Sequence, residues 1–228
     1  MKRNLAVAIT GASGAAYSVR LIEVLLAAGC DVHLTISPSG QAVLKHELDL
    51  AIDLENFNKA NLLLEAERSA TDAKLIALRA RAGISSEESS VLAVQLGNTG
   101  EIHYHHYQDM MAPLASGSFL TSGMVICPCS GSTLGAIANG MGNNLIHRAA
   151  EVHLKERRKL VLVTRETPLS LPHLDNLRKT AEAGAVVLPA SPGFYHGART
   201  IRDLVDFIVG RICDQLGIEN MMVSRWGG

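Results

Sequence analysis

The chain has 228 residues with a formal net charge of -1, and 47% of its residues are hydrophobic and 19% charged. This composition excludes a disordered polypeptide, and 21 basic against 22 acidic residues leave no basic excess for sequence-independent nucleic-acid binding. The length suggests one α/β domain, and since no run of about 18 apolar residues occurs, we expect a soluble, cytoplasmic protein.

The first half of the chain begins as alternating strands and helices. The apolar run at 5–9 predicts a strand buried on both faces, because such strands read as unbroken hydrophobic stretches bounded by glycine. Helically spaced apolar residues at 19–26 predict a helix closed by Gly29, followed by a strand at 31–37 and a helix at 38–48. This succession of elements indicates a parallel, doubly wound sheet.

The regular pattern resumes after a less informative stretch, 52 to about 100, in which a helix is predicted at 66–81. The remaining predicted strands are 102–105, 124–127, 160–163 and 185–188. The remaining predicted helices are 132–139, 145–156, 174–183 and 200–216. No repeat or linker interrupts the pattern, so we predict one domain over 1–228, a three-layer αβα, doubly wound, mostly parallel sheet of the Rossmann or flavodoxin-like kind.

Two loops rich in small and hydroxyl residues, 10–14 and 128–133, each follow a predicted strand and precede a helix. Glycine permits close backbone approach, and a helix N-terminus offers free N–H groups, so either loop suits a phosphate or a heterocycle. Neither is a dinucleotide fingerprint, because G-x-G-x-x-G fails at Ser13 and Ala16. Ligands of open α/β sheets bind at the carboxyl ends of strands, so the two loops together indicate one site.

Charged side chains lie at the same predicted edge or share a helix face. Arg165 and Glu166 directly follow a predicted strand, a position at which Glu166 could serve as acid or base. Arg148, Glu151 and Lys155 are spaced by three and four residues, so they share one face of a helix. That face fits a ligand site and a solvated stripe of ion pairs equally well.

The histidines and cysteines do not predict a metal site. His103, His105 and His106 lie close together, but we expect strand alternation to divide them between the two faces of the sheet. The four cysteines form no C-x-x-C pair, which argues against a zinc ribbon and favours reduced thiols.

Together these features resemble the UbiX-type flavin prenyltransferases. The resemblance rests on the stretches 10–17, 111–118, 125–140, 143–169, 184–196 and 203–218, and 143–169 contains its most specific segment, HRAAEVHLKERRKLVLVTRETPL. It implies a Rossmann- or flavodoxin-like domain in a homo-oligomer, commonly a dodecamer, with active sites between subunits. It also implies transfer of a dimethylallyl group from dimethylallyl monophosphate to reduced FMN, at N5 and then C6. The prenylated FMN would serve a UbiD-type decarboxylase in ubiquinone synthesis or aromatic acid breakdown.

The resemblance also assigns residues by position. The FMN-binding positions are Gly11, Ala12, Ser13, Ser37, Ser130, Gly131, Ser132, Thr133 and Arg165. The positions for the prenyl phosphate and its chain are Arg148, Lys155, Tyr195, Arg211 and Trp226. Trp226 belongs to a C-terminal tail, about 217–228, that is expected to pack on a neighbouring subunit. Glu47, Glu166 and Ser13 are the catalytic candidates, with proton transfer assigned to the two carboxylates.

Two other functions stay open at this point. One is an FMN-dependent decarboxylase of a cysteine-type substrate, which would need a histidine near the first helix, where this chain has residues 17–20, Tyr-Ser-Val-Arg. The other is a non-catalytic FMN-binding module, in which Glu166 and Lys155 would be dispensable.

Overall fold

The structure, a computed structural model, describes residues 3–63, 71–81 and 100–223. Within these ranges one sheet contains the strands β1 (Asn4–Ile9), β2 (Asp31–Ile36), β3 (Ile102–Tyr104), β4 (Gly123–Cys129), β5 (Leu160–Thr164) and β6 (Val186–Pro189). The strand order is β3-β2-β1-β4-β5-β6, and the paired strands are parallel. The chain winds outward in both directions from the central β1–β4 pair, so the loops after these two strands border a crevice.

Seven helices are described: α1 (Ala15–Ala27), α2 (Pro38–Leu48), α3 (Ala73–Arg81), α4 (Gly131–Ala138), α5 (Leu145–Lys155), α6 (Leu171–Glu182) and α7 (Ile201–Leu216). Short 3-10 turns occur at Lys59–Asn61 and Pro113–Ala115. Most of the α-helices begin at a hydroxyl or amide side chain that accepts a hydrogen bond from a backbone amide of the first turn. These N-caps are Ser37, Ser130, Asn144, Ser170 and Thr200.

Strand β1 is buried on both faces, as its unbroken apolar run predicted. Leu5, Val7 and Ile9 belong to the core beneath α1 and α7, whereas Ala6 and Ala8 belong to the core beneath α4 and α5. The helices therefore cover both sides of the sheet, and the predicted three-layer parallel fold is confirmed.

The predicted boundaries differ from the observed ones by a few residues. Helix α2 matches its prediction, but α6 begins at Leu171 rather than 174, because Ser170 caps it and Pro172 fits its first turn. The predicted helix at 66–81 is observed from Ala73, and residues 66–70 lie outside the described ranges. No described helix is long and apolar enough to cross a bilayer.

A buried ion-pair network fastens α1 to α7 and to the residues that lead into α3. The side chain of Arg20 is 6% exposed, and its Nε donates to Asp206 Oδ1 at 2.7 Å. Arg20 Nη1 donates to Asp72 at 2.7 Å, and Lys74 Nζ donates to Asp206 Oδ2 at 2.6 Å. Asp206 is 1% exposed and joins two cations, so its charge is compensated within the protein.

Candidate active site

The loops that follow β1 and β4 are joined by one side chain, that of Thr10. Its Oγ1 donates to the carbonyl of Pro128 at 2.7 Å and accepts from the amide of Ser130 at 2.8 Å. Thr10 is buried, so these bonds hold the two loops at a fixed separation. Sequence analysis missed Thr10, because nothing local to it indicates partners that lie 118 and 120 residues away.

The first loop, 10–14, leads into α1, whose first amides already contact a carboxylate. The amides of Gly14 and Ala15 donate to Glu47 Oε2 at 3.0 Å and 2.8 Å. The Ser13 side chain also hydrogen-bonds to Glu47. The prediction of free N–H groups at this helix N-terminus is therefore wrong for these two amides, because a side chain from α2 occupies them.

These contacts set the protonation state of Glu47. Burial raises the pKa of Glu47, but hydrogen bonds from Ser13, Gly14 and Ala15 and the positive charge of Arg165 outweigh it, so the pKa lies below its ordinary value. At neutral pH the carboxylate is ionised. Glu47 can therefore accept a proton at this edge of the sheet but has none to donate.

The end of β2 lies against the first loop. Ser37 caps α2, and its Oγ accepts from the amide of Gly40 at 3.0 Å. A Cβ atom at Gly11 would collide with the side chain of Ser39, so the packing of α2 on the loop requires glycine there. This packing places Ser37 at the same edge as Ser13 and the buried Ala12.

The second loop begins α4 and carries a cluster of hydroxyls. Ser130 Oγ accepts from the amide of Thr133 at 3.3 Å and lies 3.1 Å from Ser132 Oγ and 3.0 Å from Thr133 Oγ1. As the first residues of α4, Gly131 and Ser132 have amides without an acceptor inside the helix. Such a terminus favours an anion, so the second loop suits a phosphate better than the first, in which Glu47 already occupies amides.

The end of β5 supplies Arg165 and Glu166. Arg165 Nε is buried and has no hydrogen-bond partner within the described residues. Buried donors are nearly always paired, so this nitrogen has an acceptor that the described residues do not supply. Glu166 is exposed, and its Oε1 accepts from the amide of Thr167 at 3.3 Å. Polar groups from β1, β2, β4 and β5 thus converge on one crevice.

Tyr195 follows β6 at the same edge. Its side chain is exposed, and its ring stands edge-on to His196 and Phe207, with centroids 6.0 Å and 5.7 Å away. His196 in turn stacks on Phe207 at 5.1 Å. The two contacts therefore hold the tyrosine ring in place, and its exposed surface includes an accessible π face.

Lys155 does not lie with these loops. Its Nζ pairs with Glu156 beside Gly117, and Arg158 donates to the carbonyls of Gly117 and Phe119, in the segment that leads into the start of β4. The second loop follows the other end of β4. A strand of seven residues spans roughly 20 Å, so Lys155 and the two hydroxyl-rich loops lie at opposite ends of the strands.

The other two predicted phosphate ligands make contacts of their own. Arg148 Nε donates to the carbonyl of Ala115 at 3.2 Å, and its Nη1 lies 3.4 Å from Glu151. Arg211 pairs with Asp214 at 3.0 Å near the end of α7. That helix ends at the start of the strands, where Arg3 donates to the carbonyl of Gly217. Trp226 lies outside the described residues.

The predicted division of the histidines is confirmed, with two of them on one face and the third directed elsewhere. His103 and His105 both approach His33, with ring centroids at 4.8 Å and 5.3 Å, because residues two apart on a strand share a face. Burial, together with His105 and His103, lowers the pKa of His33 to about 4. His106 points elsewhere, 3.3 Å from Glu55. Within the described ranges no group of three or more ligating side chains could hold a metal.

Comparison with known proteins places the chain among flavoproteins. A family model described as Flavoprotein matches residues 1–213. The Flavin prenyltransferase UbiX of Pseudomonas aeruginosa is 45% identical over 224 residues, which are 98% of this chain and 94% of that protein. The Flavin prenyltransferase UbiX of Halalkalibacterium halodurans is 41% identical, over 97% of this chain and 92% of that protein.

Two solved structures share the fold at comparable identity. The crystal structure of AnUbiX (PadA1) in complex with FMN and dimethylallyl pyrophosphate is 36% identical and covers 100% of this chain and 99% of that one, with a TM-score of 0.77. A dodecameric FMN-dependent UbiX-like decarboxylase from Escherichia coli O157:H7 is 32% identical, covers 99% of this chain and 100% of that one, and has a TM-score of 0.73.

Proposed function

The chain belongs to the flavoprotein family and, within it, to the UbiX-type flavin prenyltransferases, and from this premise we propose that it transfers a dimethylallyl group from dimethylallyl monophosphate to reduced FMN. The observation that carries the proposal is the crevice between β1 and β4, in which Thr10 fixes two hydroxyl-rich loops beside the unpaired Arg165 Nε. Flavin phosphate and ring carbonyls are the acceptors that such a set of donors would bind.

The proposed reaction forms two bonds to the flavin. The carbon–oxygen bond of the donor breaks, phosphate leaves, and the allylic carbon joins N5, which gives up its proton. The alkene then takes up a proton, and its tertiary carbon joins C6, which loses its own proton. The product has one additional ring, and we propose that a UbiD-type decarboxylase uses it.

The base that takes the proton from C6 in the second step is one of the two candidate carboxylates. Glu47, on α2, is ionised, and its carboxylate contacts the first loop beside Ser13. Glu166 is exposed at the end of β5, next to Arg165. We assign the proton that leaves C6 to Glu166, because Glu47 is already bonded to two backbone amides and the Ser13 hydroxyl.

The donor phosphate requires fixed cations, and we assign this role to Lys155 and Arg211, with Arg148 as a further cation. Since Lys155 lies a strand length from the flavin loops of its own chain, the proposed site combines the flavin edge of one subunit with Lys155 of another. An allylic cation would be stabilised by π faces, which we assign to Tyr195 and to Trp226 in the tail.

Exposed apolar side chains support the association of chains into an oligomer. Large apolar side chains are exposed at both ends of the sheet, among them Met111, Leu120, Phe194 and Ile201. Exposed apolar side chains mark a protein interface where they form a contiguous patch. We propose a homo-oligomer, as in the dodecameric relative from Escherichia coli O157:H7.

The test is an anaerobic incubation of the protein with reduced FMN and dimethylallyl monophosphate, followed by mass spectrometry of the released flavin. We expect a flavin heavier by one isoprene unit, with an equal amount of phosphate released. The matched control uses oxidised FMN, which should give no product. Tight FMN binding without any change in flavin mass would favour the non-catalytic binding module instead.

A further inference from the structure

Arg158 fixes a short turn, residues 117–119, that lies against Lys155. Its Nη1 donates to the carbonyl of Phe119 at 2.7 Å, and its Nη2 donates to the carbonyl of Gly117. One partly buried guanidinium thus bridges two carbonyls of the segment that leads into β4. Because a guanidinium is a rigid, planar fork, these two bonds together fix the turn relative to Arg158.

Gly117 is the residue at which the turn meets Lys155. A Cβ atom built on Gly117 would lie 2.9 Å from Lys155 Nζ, a distance at which the lysine would have to move. Glu156, which pairs with Lys155, contacts the same position. The backbone of the turn is therefore packed directly against the ammonium group and its partner.

The end of α5 holds Lys155 and Arg158 in a fixed relation. The amide of Arg158 donates to the carbonyl of His153 at 2.8 Å. The amide of Arg157 donates to the carbonyl of Leu154 at 3.1 Å, and Arg157 has φ 53°. This is the left-handed helix end of the Schellman motif, with arginine in the position that glycine usually takes. The motif reverses the chain after Lys155 and brings the next arginine back to the turn.

A second contact attaches the same segment to α5 independently of Arg158. His153 Nδ1 lies 2.7 Å from the carbonyl of Ala149, so it donates that bond, and its Nε2 accepts from Thr121 Oγ1 at 2.7 Å. His153 is buried, which makes this contact a stable anchor. Loss of the Arg158 side chain should therefore free the turn at 117–119 without detaching the segment from the helix.

We propose that Arg158 is a positioning residue for Lys155: by holding the turn at 117–119 it keeps the ammonium group where the donor phosphate is bound. The inference rests on the proposed role of Lys155 and adds the residue that orders this lysine before the donor arrives. A lysine side chain is flexible, and ordering it during binding lowers affinity. Nη1 and Nη2 of Arg158 are already bonded to carbonyls, so Arg158 acts through Lys155 rather than on the phosphate.

The experiment is a double-mutant cycle in the FMN-loaded full chain, with binding of dimethylallyl monophosphate measured by calorimetric titration. We expect Arg158→Ala to weaken donor binding about threefold to tenfold, as when binding has to order one long side chain, and to leave FMN binding unchanged. In the Lys155→Ala background the same substitution should have no further effect, because the lysine on which it acts is absent. Arg158→Lys should resemble Arg158→Ala, since lysine keeps the charge but cannot bridge both carbonyls.

The matched control is Arg157→Asn, which removes the adjacent charge, and asparagine tolerates the left-handed conformation of this residue. It should bind the donor like the unmodified protein. Unchanged donor binding in Arg158→Ala, additive weakening in the double variant, or full affinity in Arg158→Lys would overturn the inference. Equal loss of FMN and donor binding in Arg158→Ala would overturn it too, since it would indicate a general loss of structure. Unchanged donor binding in Lys155→Ala would instead refute the proposed role of Lys155 itself, so the two failures are distinguished.

Discussion

Replacing Lys155 with alanine would distinguish binding of the donor phosphate from binding of FMN in the proposed site. Lys155 Nζ is held near Gly117 by Glu156, and its side chain is 50% exposed, so its removal leaves no buried charge unpaired. A hydrogen bond to a charged group contributes about 1.5–3 kcal/mol. We therefore expect the variant to bind dimethylallyl monophosphate about tenfold to hundredfold more weakly.

FMN binding should be unaffected in the same variant, because the loops after β1 and β4 hold the flavin in the proposed site, and the Lys155 that another subunit contributes contacts the donor phosphate. Calorimetric titration of the donor into FMN-loaded protein and fluorescence titration of FMN give the two dissociation constants. Lys159→Ala is the matched control, since it removes an exposed lysine beside the start of β5, and it should leave both constants unchanged. Loss of FMN binding in Lys155→Ala, or unchanged donor binding, would refute this assignment.

Three further predictions concern the chemistry and the stability of the fold. Glu166→Gln should bind both ligands but stop after the first bond. The released flavin should then have the mass of the product and the absorption spectrum of an N5-prenylated flavin without the fourth ring. A spectrum of the ring-closed product would transfer the role of base to Glu47. Asp206→Ala should lower the free energy of unfolding by about 1.5–3 kcal/mol in urea, because Arg20 Nε stays buried without its acceptor while Asp72 still pairs with Nη1, whereas a loss below about 0.5 kcal/mol would contradict this. His33, whose pKa is lowered to about 4, is neutral in the fold and takes up a proton more readily once unfolded, so stability should fall between about pH 6.5 and pH 4. His33→Gln should flatten that dependence, which amounts to roughly 2–3 kcal/mol, and an unchanged pH profile of unfolding would disprove the cause.

The sequence predicted most of the fold, because its signals are local. The apolar run at 5–9 and the glycine loop that follows require only neighbouring residues to be recognised, and both are found where they were predicted. The order of strands in the sheet and the bonds of Thr10 to Pro128 and Ser130 depend on residues far apart in the chain. No spacing rule indicates such partners.

The candidate site was only partly predictable for the same reason. Hydroxyls at strand ends identified the loops, but Glu47 reaches the first amides of α1 from another helix, a contact that periodicity does not reveal. The shared face of Arg148 and Lys155 on α5 gave no indication that Lys155 lies at the opposite end of the strands. The division of the histidines, by contrast, was predictable, because strand geometry places His103 and His105 on one face and directs His106 elsewhere.

In the proposed function, the loops after β1 and β4 of one subunit and Lys155 of another form a single transferase site. Subunit complementation tests this arrangement most directly. Gly14 has φ 126° and a Cβ there would meet Tyr17, so Gly14→Val disables the first loop, while Lys155→Ala disables the phosphate end. At a donor concentration well below the dissociation constant of Lys155→Ala, each variant alone should make almost no prenylated flavin under anaerobic conditions. Co-expressed in equal amounts and purified as mixed oligomers through two tags, they should regain about one quarter of the unmodified activity, since a site with both halves intact then forms at random. Mixed oligomers that bind FMN but produce no prenylated flavin would contradict the account.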